Sequence, residues 1–426
     1  MRRVAVLLIY SINGINQRFL SSHFSRSRRM HILVINCGST TVKLRLIDSR
    51  QDVVVLDGQA DLEQQPARLA LQFAGQNISL ELTENSSAAA LEQLARWWQT
   101  HAFALPVDAI AHRMVHGGAR YHEPLAVTVD NVEALQALTE LAPLHHPPAL
   151  AAIAAAQLSF AHLPHYVLFD TAYYRHLPEQ ALTYAVPESW RTLHGVRRYG
   201  FHGWSHRHAV RAAATLLQRK PAELRVISIH LGGGASVTAS RLGLAVDTSM
   251  GMTPTAGLPM ATRCGDIDPM IPLHMQQAGL SAAEVDHALN HASGLLGLCG
   301  SEDMRTVLLR AEQCEPAACL ALDVYCYAIR KYVGAYLVAL GGADAIVFTA
   351  GVGEHSPEIR RRVLGGLEEL GIVLDAEQNR TTSGDHAVHH RSSRIAVLTV
   401  HSEEEIEMAH SLSHFLQGET ACPQPT

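Results

Sequence analysis

Val226-Ile227-Ser228-Ile229-His230 is a run of β-formers, Leu231-Gly232-Gly233-Gly234-Ala235 reads as a tight turn, Ser236 to Ser240 is a second run and Leu244 to Thr248 a third. The same order stands nearer the start of the chain. Ile32 to Asn36 is an apolar run and Cys37-Gly38-Ser39-Thr40-Thr41 a turn. Val42, Leu44 and Leu46 then alternate with Lys43, Arg45 and Ile47, and Val53 to Leu56 follow a polar break. Each copy reads as a three-strand meander closed by small, polar turn residues. Helical spacing follows the first copy at Ala88–Trp98 and Asn131–Leu141, and Pro147-Pro148 opens an alanine-rich helix to about Leu158, before a strand at His165–Phe169. After the second copy come helices at Ala317–Leu340 and Pro357–Leu370 and strands at Ala345–Thr349 and Ile395–Val400. One order of elements used twice implies an α/β protein with a duplicated core. On spacing alone, two unrelated α/β domains remain the alternative.

The whole chain has 426 residues, for which two domains are the default. With 47% hydrophobic and 17% charged residues it can bury substantial cores and is too sparsely charged for disorder. A net charge of −6 argues against nucleic acid or an anionic membrane as a partner held by bulk charge. No apolar run approaches the roughly 18–20 residues that span a bilayer. The seven cysteines (Cys37, Cys264, Cys299, Cys314, Cys319, Cys326 and Cys422) contain no CxxC pair, which points to free thiols in a reducing, cytoplasmic compartment. Arg2-Arg3 and the apolar run Val4 to Tyr10 look superficially like a signal peptide. The run is short, and the stretch after it is basic and serine-rich with no A-x-A-like site. The fold is therefore expected to begin at Met30, with residues 1–29 a disordered extension or a mis-assigned start.

Both meander turns follow a strand directly and offer backbone N–H groups that can approach phosphate oxygens. A third glycine turn, Gly351-Val352-Gly353-Glu354-His355, lies between a strand and the Pro357 helix, the arrangement that aims amide donors at an anion. None fits the P-loop or the dinucleotide fingerprint, and any tight hairpin favours such residues. Three such turns in two halves nevertheless suggest a nucleotide held in a cleft between them.

Several segments are more specific: Asn36-Cys37-Gly38-Ser39 with Lys43, His112-Arg113-Met114-Val115-His116-Gly117-Gly118, Phe169-Asp170-Thr171-Ala172, Arg198-Tyr199-Gly200-Phe201-His202-Gly203, Asp247-Thr248-Ser249-Met250-Gly251, and Thr262-Arg263-Cys264-Gly265-Asp266-Ile267-Asp268-Pro269. In these the chain resembles the acetate/propionate/butyrate kinase family, from about Met30 to Ala409. The resemblance implies a duplicated ribonuclease H-like (actin-like ATPase) α/β fold of two domains with an interdomain cleft. The expected division is residues 30–170 plus about 404–420 in one domain and 171–403, with the nucleotide loops, in the other. It further implies reversible transfer of a phosphoryl group from ATP to acetate, giving acetyl phosphate and ADP, with Mg2+ (Mn2+ as a substitute), in a cytoplasmic homodimer.

By the same resemblance Asp170, His202 and Arg263 are catalytic, with His202 donating to the moving phosphoryl group. Arg113, Val115, Leu144, Phe201 and Pro254 hold the acid. Lys43, His230, Leu231, Gly232, Gly233, Gly234, Asp303, Met304, Arg305, Gly351, Val352, Gly353, Glu354 and His355 belong to ATP. Asn36 and Glu404 contact the metal, with Glu403 and Glu405 one residue away as competitors. The family usually has asparagine at the positions of Gly233 and His355, and phenylalanine at that of Met304, which bears on nucleotide affinity and base preference.

The chemistry can also be argued from the residue types. Bringing ATP and a carboxylate together joins two anions, so cations and a dry, shaped site are needed. Guanidinium groups match carboxylate and phosphoryl oxygens, which suits Arg113 and Arg263; the alternative for Arg263 is an ordinary bridge to Asp266 or Asp268. A carboxylate nucleophile is already ionised at neutral pH, so Asp170 is more useful for orienting substrate or organising Mg2+ than as a base; the resemblance labels it acid/base. Lys43 alternates with apolar neighbours and could simply face solvent. His202, His206 and His208 lack the cysteine or carboxylate partners of a metal cluster. Val115 and Phe201 leave room for a methyl group more than a longer chain. The rivals are propionate or butyrate kinase, a noncatalytic relative, and an actin- or chaperone-like ATP-binding switch, which would not need two arginines facing a small acid.

Overall fold

The computed structural model describes residues 29–38, 40–101, 105–143, 145–381 and 384–418. Ser39, Leu144, Cys422 and the expected extension through residue 28 lie outside the described residues. The first sheet contains β1 (His31–Cys37), β2 (Thr41–Asp48), β3 (Val53–Asp61), β4 (Arg68–Phe73), β5 (Gln76–Glu81), β6 (Ala109–Met114), β7 (Leu125–Ala126) and β8 (His165–Phe169). Their order is β5-β4-β3-β2-β1-β6-β8-β7. The second contains β9 (Arg225–Leu231), β10 (Ala235–Arg241), β11 (Leu244–Thr248), β12 (Ala345–Thr349), β13 (His386–Ala387) and β14 (Ala396–Val400), in the order β11-β10-β9-β12-β14-β13.

Inside these sheets β3-β2-β1-β6-β8 and β11-β10-β9-β12-β14 are the same device. In each, an antiparallel meander is followed by two strands parallel to its first member. Even the edges agree, since β7 and β13 are two-residue antiparallel strands laid on β8 and β14. The duplication expected from the sequence is present as topology.

The strands follow from their patterns. In β2, Val42, Leu44 and Leu46 are fully buried while Lys43 faces solvent, the alternation of a strand with one covered face. Every residue of β12 and β14 is buried, as expected of parallel strands covered on both sides. Leu33 and Ile35 pack with Leu91, Leu94 and Trp97 of the helix Ser87–His101. Ile32 and Val34 turn the other way, onto Met408, Ala409 and Leu412 of the helix Glu404–Leu416. The second sheet repeats this sandwich. The long helix Pro316–Leu340 covers Ile227 and Ile229, and Gly203–Leu216 covers Val226, Val347 and Leu398.

Several expectations change in detail. The meander continues into β4 and β5, whose sparse, half-exposed alternation (burial of Leu69 and Leu71 only) hides the hairpin in sequence. The helix expected over Asn131–Leu141 is α-helical over Val129–Ala137 and 3-10 over Leu138–Leu141. That expected over Pro357–Leu370 stops at Leu364, before Gly365-Gly366. The turn expected at Gly351–His355 is a short helix, Ala350–His355.

Candidate active site

Asn36 lies near the end of β1, Arg113 near the end of β6, and Asp170 directly after β8. These strands are neighbours, so three polar side chains gather at one edge of the first sheet, where α/β folds place ligands. The facing wall comes from the second half: Phe201, His202, Gly234, Pro254 and Arg263. With Val115, His145, Pro148 and Ala149 they enclose about 210 Å3. That is smaller than the roughly 300–1,000 Å3 of sites that swallow a drug-sized ligand. The cavity suits a small acid and a phosphoryl group, not a whole nucleotide.

Arg113 is a double clamp. Its Nε and Nη2 donate to Asp170 Oδ1 and Oδ2 at 2.8 and 2.7 Å, and its Nη1 lies 2.9 Å from Glu404 Oε2. Asp170 is 1% exposed. Burial pushes its carboxyl above the ordinary value, against the pull of Arg113, and the nearby Glu404 carboxylate adds to the rise. The guanidinium moves up despite burial because two carboxylates face it. The three consecutive glutamates take different first partners, although Arg45 is shared by Glu403 and, at 3.6 Å, by Glu405. Glu404 turns to Arg113, Glu405 accepts from Asn36 Nδ2 at 3.2 Å, and Glu403 pairs with Arg45.

Arg263 is the opposite case. It is half-buried, burial lowers its pKa, and Nη1 makes only a long contact (3.4 Å) with the Pro254 carbonyl and a weak one with Met260 Sδ. No carboxylate pairs with it among the described residues. Asp266 accepts from the Gly257 amide and the Tyr332 hydroxyl, and Asp268 accepts from the Met270 amide. The ordinary-bridge reading of Arg263 is not what the chain does.

His202 stands at φ 56°, a left-handed conformation rare for a side chain other than glycine. It is followed by Gly203, where a Cβ would lie 2.1 Å from the Asp170 carbonyl oxygen. The Phe-His-Gly motif therefore lets two segments approach at backbone distance while turning the imidazole into the cavity. Its Nδ1 lies 2.9 Å from Ser236 Oγ, and its ring stacks on His230 with centroids 4.2 Å apart. A Cβ on Gly234 would come within 3.1 Å of His202 Nε2. Burial, reinforced by His230, His206 and both arginines, keeps His202 well below the usual imidazole value.

Among the residues expected to hold ATP, Gly234 lines this cavity, and His230 reaches it only through its stack on His202. Gly232 N donates to Gly234 O at 2.8 Å, and Gly233 is open, with room for a Cβ. Lys43 is exposed, across the hairpin from Asn36. Asp303 caps the helix Met304–Glu312, Arg305 is exposed, and the Met304 side chain is buried in the second core. Val352 and Glu354 are covered, while Gly351 and His355 are exposed. Asp303–Arg305, Gly351–His355 and Lys43 do not line the cavity. Leu144 is outside the described residues.

Sequence reasoning passed over His145, which lines the cavity; burial and Arg263 lower its pKa. The signal was available, a His-His-Pro-Pro helix start next to Leu144. It also missed Ser236, and weighed His206 only as a member of a metal cluster. His208, grouped with His202 and His206 as a metal cluster in the alternative reading, instead points at Glu407.

A model of the acetokinase family matches residues 31–410. The chain belongs to that family. The acetate kinase of Streptomyces avermitilis is 42% identical over 386 residues, covering 89% of this chain and 95% of that protein. Among solved structures, a propionate kinase from Francisella tularensis superposes with a TM-score of 0.83 at 33% identity, covering 90% of this chain and 98% of its own. Porphyromonas gingivalis acetate kinase does so with 0.82 at 35%, covering 91% and 100%. This chain accordingly has the acetokinase two-sheet fold and is a kinase-type phosphotransferase. No described helix is long and apolar enough to cross a membrane.

Proposed function

We propose that this acetokinase family member transfers a phosphoryl group reversibly between ATP and acetate at the cavity bordered by Arg113, Asp170, His202 and Arg263. The observation that carries the reading is Arg263, a half-buried cation with no carboxylate partner among the described residues, facing Arg113 and Asp170 across a space for small anions. An unneutralised guanidinium in a dry site is matched by the phosphoryl and carboxylate oxygens of a substrate. Arg113 is oriented by Asp170 and Glu404 and offers its remaining face to the acid. Val115, Phe201 and Pro254 supply an apolar wall for the methyl group. His202 donates to the moving phosphoryl oxygens.

The donors near the cavity fit Mg2+: the side chains of Asn36, Asp170 and Glu404 are oxygen ligands for a hard cation. Among the described residues no group of three or more His, Cys, Asp or Glu could cage a metal alone. That suits an ion which keeps its waters and takes its remaining ligands from nucleotide phosphates. When bound, it neutralises phosphate charge. ATP lies along the His230–Gly234 turn, toward Asp303–Arg305 and Gly351–His355.

For this assignment residues 30–170 and about 404–420 act as one domain and 171–403 as the other. Support comes from the packing of helix Glu404–Leu416 on β1. The working form is a cytoplasmic homodimer; Met270, Ile271, Leu273 and Met275, all large and exposed on one short helix, support self-association.

Purified protein given Mg-ATP and hydroxylamine with acetate, propionate or butyrate tests the reading through the hydroxamate formed from each acyl phosphate. Acetate is expected to give the most product. A propionate preference moves the assignment to the relative named for that acid, and absence of product with all three acids removes the kinase reading.

A further inference from the structure

Beneath the cavity four side chains form one continuous hydrogen-bonded row. His202 Nδ1 lies 2.9 Å from Ser236 Oγ, Ser236 Oγ 2.7 Å from His206 Nε2, and His206 Nδ1 2.7 Å from Ser228 Oγ. Ser228, Ser236 and His206 are fully buried, on β9, β10 and the helix Gly203–Leu216. No acidic or basic side chain of fixed charge takes part in the row. Burial holds both imidazoles well below their ordinary pKa, so each is neutral and carries a single N–H.

A hydroxyl also has one proton, and Ser236 has no acceptor besides the two imidazoles among the described residues. The bonds must therefore all run the same way. If they run from Ser228, then Ser228 donates to His206 Nδ1, His206 Nε2–H to Ser236, and Ser236 to His202 Nδ1. The proton of His202 is left on Nε2, the atom beside Gly234 at the cavity. If they run from His202, Nε2 carries only a lone pair.

Two features select the first direction. In the second, the Ser228 proton must fall back on the Thr238 carbonyl at 3.4 Å, outside the usual 2.5–3.0 Å of an O–H···O bond. A buried donor left nearly unmade costs more than spare lone pairs on an acceptor. Moreover Nε2 faces a space walled by Arg113 and Arg263. The anions drawn there only accept hydrogen bonds, and a lone pair would repel them.

We infer that Ser228, His206 and Ser236 are positioning residues that hold neutral His202 in its Nε2–H tautomer, presenting a hydrogen-bond donor to the transferring phosphoryl group. This rests on the reading of the cavity as a phosphoryl-transfer site. The stack on His230, itself fixed by a 2.8 Å contact between Nδ1 and Ser205 Oγ, sets the plane of the ring.

Histidine-selective 15N NMR of the full-length, ligand-free protein reads the tautomer directly, with His202 assigned by the signals lost in His202→Gln. Wild type is expected to show Nε2–H. Ser228→Ala leaves His206 Nδ1 a bare acceptor, a smaller loss than a bare donor, so His202 is expected to keep Nε2–H there. Ser236→Ala removes the group that holds His202 Nδ1 and is expected to lower kcat roughly 10–100-fold, while KM for acetate and ATP stays within about twofold. A merely structural role would move KM and stability along with kcat. An Nδ1–H tautomer in wild type or in folded Ser228→Ala, or an unchanged kcat in folded Ser236→Ala, overturns the inference. Wild type with the Nε2–H tautomer but no acyl phosphate from any acid leaves the row standing and removes the phosphoryl-transfer reading.

Discussion

The two sheets share one topology and carry opposite electrostatics. At the cavity end of β1, β6 and β8 the first half places charge, in the Arg113 guanidinium held between Asp170 and Glu404 and in Asn36 against Glu405. The equivalent region of the second half, around β9 and β10, is built from neutral imidazoles and hydroxyls: His202, His206, His230, Ser228 and Ser236. Among the described residues of this half that line the cavity, the charge comes from Arg263, on a loop. The difference teaches that a duplicated scaffold fixes where strand ends meet and leaves the chemistry at each end free. A paired ion orients one reactant, while an unpaired one and a neutral donor remain available for the charge that moves.

Breaking the unpaired side should hurt most. Arg263→Ala is expected to lower kcat on the order of 10³-fold or more, with little loss of stability, because no buried partner is orphaned. Circular dichroism melting beside steady-state kinetics checks both halves of that statement. On the paired side, Asp170→Asn leaves the Arg113 guanidinium without its bidentate acceptor. Breaking a buried pair typically costs about 3–5 kcal/mol, so denaturant unfolding should show a clear drop in stability together with lost activity. If Arg263→Ala proved the more destabilising of the two, the contrast would be wrong.

Acid separates the halves less sharply. Burial lowers His112 to about 3 and His116, His146 and His230 to about 4, with neighbouring His165, His146, His145 and Arg113 respectively adding to the effect of burial. In the unfolded chain these groups return to about 6.5. Folded pKa values below unfolded ones mean that the folded state binds fewer protons. The stabilisation is fully present above about pH 6.5 and is lost as pH falls toward 4, on the order of 1 kcal/mol per group per pH unit. The melting temperature should therefore be flat from pH 7 to 8 and fall steadily below 6.

Smaller effects sharpen the picture of the walls. Val115→Ala should move preference from acetate toward propionate by about 1–3 kcal/mol, read as a ratio of kcat/KM for the two acids. Gly233 is exposed, with space for a Cβ, so Gly233→Asn should fold normally and change only KM for ATP, by a few-fold at most.

The parts of this fold that could be read from sequence are those where burial enforces a period. β2 alternates because one face is covered, and β12 reads as an unbroken apolar run because both are. The hairpin β4–β5 was hidden because half of each strand faces solvent. Gly203–Leu216 was hidden because it begins inside a motif read for its histidine. In the site, Arg113, Asp170 and His202 stood out through distinctive neighbours, and the structure gathers them. Which of Glu403, Glu404 and Glu405 faces Arg113 depends on helix phase at its first turn, which no local pattern specifies. Ser228 and Ser236 are ordinary small residues in strands, and only their register across β9 and β10 brings them to the two imidazoles.

The most direct measurement is a single-turnover reaction with enzyme in excess over radiolabelled Mg-ATP, with and without acetate, in wild type and Arg263→Ala. Label should pass to acetate in wild type, stay on ATP when acetate is left out, and transfer at least about 10³-fold more slowly in the variant. Acetate-independent release of inorganic phosphate, or equal transfer by the two proteins, would contradict a phosphoryl-transfer cavity built around an unpaired arginine.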